Sequence, residues 1–210
     1  MEDGPDPQAA RWDARYAAAE PGGLFGAAPS LWLAMLSGRP DFAPRTALLP
    51  ADGDGRNGTW LAARGVAVTA VDLSPEATRR AAARDRAAGV AAERITADLA
   101  DWSPPGDRRW DLAAVLFLHG PPDLRERVVR IAAAALAPGG WLVVEGFAKA
   151  QAGGGIGPDA PEKLYSRAEL ARWSDGLAPV ELLEGRVRLD EGPRHSGEAE
   201  IVRLAARSLP

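Results

Sequence analysis

"ADGDGRNG", residues 51–58, carries three glycines, Gly53, Gly55 and Gly58, in a literal G-x-G-x-x-G. The short apolar run TALLP, residues 46–50, leads into it, and the helical stretch NGTWLAAR, residues 57–64, leads out. A glycine loop between a strand and a helix is where nucleotide-like ligands meet an open α/β sheet. The glycines let backbone approach the ligand, and the helix start offers unpaired N–H groups. Asp72 ends the next apolar run, VAVTAVD, residues 66–72. It stands about 20 residues past the loop, the spacing at which a carboxylate takes ribose hydroxyls.

Working outward, strand and helix signals alternate. SPEATRRAAARDRAAG, residues 74–89, predicts a helix with Ser74 as N-cap, Pro75 in the first turn and Gly89 after the last. RITAD (94–98), WDLAAVLFLHG (110–120) and WLVVEGF (141–147) read as strands, and PPDLRERVVRIAAAALAPGG (121–140) as a helix. The alternation over 45–147 predicts a mostly parallel sheet with helices on both faces. Further on, Ser166 and Glu169 form a capping box. VELLEGRVRLDEG (180–192) and GEAEIVRLAAR (197–207) then form an antiparallel hairpin joined through GPRHSG. Residues 1–10 are expected to be flexible. Residues 11–210 are expected to form one domain whose helical cap, about 11–44, contains RWDARYAAAE and SLWLAML.

The ligand choice turns on charge. Adenosine is common to NAD and S-adenosylmethionine, so the loop and Asp72 fit both. Asp52 and Asp54 would repel a pyrophosphate but suit a sulfonium and an ammonium. The useful core of the motif is then Gly53-Asp54-Gly55-Arg56-Asn57, with Gly58 completing the longer pattern by coincidence.

The run DGDGRNGTWLAARGVAVTAVDLSPEA resembles the cofactor segment of class I S-adenosylmethionine-dependent methyltransferases, most closely the tellurite-resistance and thiopurine-methyltransferase-like branch. WDARYA, LAPGGWLVVEGF and YSRAEL…RHSGEAEIVRLAAR extend the likeness over about residues 11–207. The resemblance implies a Rossmann-like methyltransferase fold with S-adenosylmethionine as cofactor. It implies that Asp72 accepts the ribose hydroxyls, that Leu73 packs against the adenine, that Asp98 bonds the adenine amino group with Leu99 beside it, and that Phe117 and His119 face the methionine part. Trp12 and Tyr16 would cover the site, and Asp52, Gly53, Asp54, Gly55 and Asn57 would form the loop. Two positions depart from the family: Leu49 and Ala51 stand where an acidic residue and a glycine are usual.

The chain has 210 residues, a net charge of −4, no cysteine and two histidines. Cysteine chemistry is therefore excluded, and the histidines alone give no metal signal. No basic stripe suggests nucleic acid. No apolar run approaches the roughly 18 residues of a membrane span, and the first residues lack a signal-peptide core, so a cytoplasmic protein is expected. The expected activity is methyl transfer to a small molecule, with a thiol or chalcogen as a soft nucleophile, and no nucleic-acid or membrane partner. His119 and His195 are the candidate bases for a harder nucleophile. An NAD-dependent oxidoreductase and a non-catalytic S-adenosylmethionine-binding protein are the alternatives.

Overall fold

The computed structural model describes residues 7–20 and 22–209. Seven strands form one sheet: β1 (Thr46–Pro50), β2 (Ala67–Asp72), β3 (Glu93–Thr96), β4 (Trp110–Leu116), β5 (Leu136–Phe147), β6 (Ala178–Gly192) and β7 (His195–Arg207). Their order is β3-β2-β1-β4-β5-β7-β6. The first five run parallel, and β7 runs antiparallel to both its neighbours, β5 and β6. The chain winds outward one way from β1 and then the other way from β4, so the β1 and β4 exits face each other at the switch point.

Side-chain alternation along the strands builds two cores. Leu48, Ala113, Val115, Leu142, Val144 and Leu204 point to one face. There they meet Val128, Val129 and Ala132 of α5 (Pro122–Ala134), and Leu170 and Trp173 of α6 (Arg167–Trp173). Ala47, Leu49, Leu112, Ala114, Leu116, Trp141 and Val143 point to the other. They pack on α2 (Leu31–Leu36) and α3 (Arg56–Ala62). Leu49, in the family's acidic position, is therefore a core residue, 1% exposed.

The predicted caps form. Ser74 accepts from the Ala77 N–H at the start of α4 (Pro75–Ala87), and Ser166 and Glu169 make the capping box of α6. Three boundaries differ from expectation. α1 spans Pro7–Ala17, so the boundary expected at residue 10 falls inside a helix; residues 1–6 lie outside the described residues. β5 begins at Leu136, because Trp110 pairs with Leu136 and a register shift then carries Pro138-Gly139-Gly140 through the strand. The hairpin turn contains only Pro193 and Arg194, which makes His195 the first residue of β7 rather than a turn residue.

Two contacts bring distant elements to the switch point. Asp13 of α1 accepts from the Ser74 hydroxyl and, at 3.0 Å, from the Glu76 N–H, docking α1 on the start of α4. The hairpin tip crosses the segment before α2 at two glycines. A Cβ on Gly26 would lie 2.2 Å from the Glu191 carbonyl oxygen, and one on Gly192 would lie 2.4 Å from that of Phe25. Asp13→Ala should therefore loosen α1 selectively. Hydrogen exchange of its amides should accelerate by about fivefold to tenfold, matching roughly 1 kcal/mol of lost capping, with the strands unaffected.

Candidate active site

The loop after β1 is clamped from beneath. Arg94 of β3 pairs with Asp52 (Nη1–Oδ2 2.5 Å) and with Asp85 of α4 (Nη2–Oδ1 2.9 Å), and it reaches the Thr59 hydroxyl. Asp52 also accepts from the Gly58 N–H at 3.1 Å. Asp54 accepts from the Leu24 N–H and lies 3.3 Å from Arg84. This corrects the electrostatic expectation for Asp52 and Asp54. Each carboxylate is buried against an arginine, so neither is a spare negative charge for a cationic ligand.

The glycines follow the same logic. Gly58 is no coincidence, because a Cβ there would lie 2.3 Å from the Asp52 carboxylate. Gly55 does not border the cavity beside the loop. It opens α3 at φ 83°, and a Cβ would meet Ala81 and Arg94, so its role is close packing of α3 on α4 rather than ligand contact. Gly53 does border the cavity, directly beneath the Tyr16 hydroxyl. Ala51 holds φ 58°, the left-handed conformation that explains why a glycine is usual there. Phe117, at the β4 exit, is left-handed as well, at φ 57°. Such strain in non-glycine residues concentrates at functional sites.

Asp72 stands differently. Its Oδ2 accepts from the Gly53 N–H at 2.8 Å and its Oδ1 from the Ser74 N–H at 3.0 Å. It has no arginine partner among the described residues, and burial pushes its carboxyl above the usual range. It borders a cavity of about 290 Å³ at the switch point. Leu73, Asp98, Leu99, Phe117, Asn57, Trp12 and Tyr16 line the same space. Asp98 turns one oxygen back to the Ala100 N–H at 2.8 Å. Burial, and then Asp72, Asp54 and Asp52, push the Tyr16 phenol up, so it remains a donor. Asn57 lines the wall while accepting from the Ser30 N–H.

A second, larger cavity of about 1090 Å³ adjoins the first through Phe117, His119, His195, Phe25 and Trp12. The two histidines lie at the boundary between the spaces. His119 Nδ1 lies 3.0 Å from the Lys163 carbonyl oxygen, so it carries the proton, and the Phe147 N–H approaches Nε2 at 3.5 Å. Burial drives its pKa down to about 4. The His195 ring packs tilted on Phe117 with centroids 4.2 Å apart, and its Nδ1 lies 3.4 Å from Arg56 and 3.6 Å from Glu191. Burial lowers its pKa, Arg56 adds to this and Glu191 opposes it. Glu191 is the extra residue at a register shift in β6 and turns inward to accept from Arg56 at 2.9 Å.

Arg56, Glu191, Arg84 and Arg94 are the residues that sequence reasoning missed. Arg56 carried a signal, since it follows Gly55 directly and its guanidinium reaches the Ala28 carbonyl and Glu191. The others become visible only when distant segments pack together. Among the described residues no cluster of His, Asp and Glu could hold a metal ion, and no helix is long and apolar enough to cross a membrane.

The buried neutral His119 makes stability depend on pH. Its folded pKa lies below its unfolded value of 6.5, so folding binds fewer protons between the two. The contribution is complete above about pH 6.5 and is lost as pH falls through about 4, over a range worth roughly 3 kcal/mol. His119→Asn keeps a donor for the Lys163 carbonyl but cannot titrate. In urea denaturation, the wild-type curve of stability against pH should fall more steeply than the variant's between pH 6.5 and 4.

Residues 50–140 match the family model described as a methyltransferase domain. No curated protein sequence matches the chain. Solved structures share the architecture. A protein studied for the conversion of a disulfide bond into a thioacetal group during echinomycin biosynthesis aligns with a TM-score of 0.74 at 20% identity, over 96% of this chain and 92% of its own. The N-methyltransferase NodS from Bradyrhizobium japonicum WM9, in complex with S-adenosyl-L-homocysteine, aligns at 0.73 and 19%, over 97% and 99%. TehB from Haemophilus influenzae aligns at 0.63 and 15%, over 80% and 58%. The family match selects a methyltransferase over the oxidoreductase alternative. Residues 50–140, which carry the glycine loop, Asp72, Asp98 and His119, are similar to a methyltransferase domain, and the chain shares the Rossmann-like fold of the solved methyltransferase structures.

Proposed function

We propose that this protein methylates a small molecule held in the larger cavity, through a soft atom such as a thiolate or reduced chalcogen. In this reading residues 11–210 act as one catalytic domain of the tellurite-resistance-like branch. S-adenosylmethionine supplies an electrophilic methyl group. Asp72 takes the ribose hydroxyls, Leu73 and Leu99 flank the base, and Trp12 and Tyr16 exclude water from above. Phe117 and His195 hold the acceptor at the boundary between the two cavities. Alignment and desolvation are the protein's main contributions to such a displacement.

The observation that carries this reading is the poverty of bases at the shared wall. His119 is neutral, with Nδ1 committed to a backbone carbonyl. The Tyr165 phenol donates to the Leu118 carbonyl at 2.7 Å, and burial pushes its pKa up. Only His195 has an uncommitted ring nitrogen among the described residues, and its basicity is lowered. A nucleophile that ionises unaided suits this wall better than an alcohol or an amine. The non-catalytic alternative draws its support from Leu49, which leaves the usual carboxylate position apolar.

Transfer of labelled methyl from S-adenosylmethionine to aromatic thiols, phenols and amines tests the proposal. Thiols should be methylated, and His195→Ala should retain the rate within about threefold. Methylation of phenols or amines alone, falling by about a hundredfold in His195→Ala, would identify a base-dependent enzyme. Tight cofactor binding with no acceptor methylated would favour the non-catalytic alternative. Asp72→Ala should weaken S-adenosylhomocysteine binding by about 1–3 kcal/mol in calorimetry, the scale of a charge-assisted hydrogen bond.

A further inference from the structure

The larger cavity has an unequal charge lining. Arg11, Arg15, Lys163 and Arg194 surround it, and Asp159 is the one carboxylate in its wall among the described residues. The chain as a whole has a net charge of −4, so this concentration runs against its composition. The arginines around the smaller cavity are used differently: Arg56, Arg84 and Arg94 each pair with a carboxylate. Arg11, Lys163 and Arg194, in contrast, have no side-chain hydrogen bond or ion pair among the described residues. Arg15 is placed 4.5 Å over the Trp12 ring.

The arrangement has an energetic cost. Arg11 and Arg15 lie one helical turn apart on α1, a spacing at which like charges destabilise a helix. The hairpin turn brings Arg194 towards the same place. Burial, and then Arg194 and Arg11, hold the Arg15 pKa below its usual value. The cations are gathered from three separate segments onto one concavity whose inner end is aromatic, formed by Phe117, Phe147 and Phe25. A polyanion would be met by a stripe along the surface. Exposed Arg11 and Arg194 beside a cavity whose buried wall is aromatic instead suit a small ligand with one charged end.

We infer that the ligand of the larger cavity is an amphiphilic anion, with an apolar body against Phe117 and Phe147 and a carboxylate, sulfonate or phosphate held by Arg11, Arg15 and Arg194. This rests on the proposed function only in making that ligand the methyl acceptor. The anionic end anchors the molecule at the mouth, and its apolar body reaches inward to the wall shared with the cofactor cavity. The charge therefore selects the substrate and fixes its direction of entry, without entering the reaction itself.

A matched pair of probes tests this: 8-anilinonaphthalene-1-sulfonate and its uncharged counterpart N-phenyl-1-naphthylamine, titrated by fluorescence into the full chain with and without S-adenosylhomocysteine. The sulfonate should bind one site per chain about tenfold more tightly than the amine, the expected scale of one charge-assisted contact. Its advantage should disappear in Arg11→Ala/Arg194→Ala, where both side chains are exposed and have no hydrogen-bond or ion-pair partner among the described residues, so the fold is retained. Affinity for S-adenosylhomocysteine should stay unchanged in that variant. Equal binding of the two probes, or a sulfonate preference that survives the double substitution, would overturn the inference. Calorimetry with S-adenosylhomocysteine reads the methyltransferase assignment separately, so a failure there leaves the anion test intact and distinguishable.

Discussion

The contact on which the site depends is the grip of Arg94 on Asp52 and Asp85. One guanidinium ties the glycine loop, α4 and the Thr59 hydroxyl of α3 to the edge strand β3. The three carboxylate and guanidinium groups are nearly dry, with side-chain exposures of 7% or less. Removing one partner would strand a buried charge, which costs about 3–5 kcal/mol. The clamp works from below the loop and commits the Asp52 carboxylate to Arg94, although Asp52 still borders the cavity. It leaves the loop's backbone, together with Asp72, facing the cavity.

A second layer of buried charge does the same for the acceptor side. Arg56 leaves the loop to join Glu191 at the hairpin tip and the Ala28 carbonyl before α2. Against burial, which pushes it up, bonds from His195 and Arg56 hold the Glu191 carboxyl below its usual range. The hairpin, the pre-α2 segment and α3 are thus fixed together at the point where His195 packs on Phe117. Different substrates on a similar architecture are expected of such a scaffold, because the larger cavity is lined chiefly by α1, the hairpin turn and the segment around Gly155.

Much of this was legible in the sequence because local physics dictates it. Glycine spacing, the Ser74 and Ser166 caps and strand alternation mark the sheet, and Asp72 follows from its place at a strand end. The directions in which Asp52 and Asp54 point were not legible. Their partners Arg94 and Arg84 lie about 30 to 40 residues away and are found only once β3 and α4 have packed. His119 shows the same limit. Its position at the β4 exit followed from the sequence, but its loss of basicity comes from burial, against which the bond to the Lys163 carbonyl works. The Ala51 substitution was visible as a departure, and its left-handed φ gives the physical reason a glycine is usual there.

The central claim is that Asp72, and not Asp52 or Asp54, is the carboxylate this site offers its cofactor. A crystal structure of the protein with S-adenosylhomocysteine tests it most directly. The account predicts ribose hydroxyls on Asp72, with Asp52 still on Arg94 and Asp54 still on Arg84. A structure in which Asp52 or Asp54 has left its arginine to bind the ligand, with Asp72 out of contact, would contradict it.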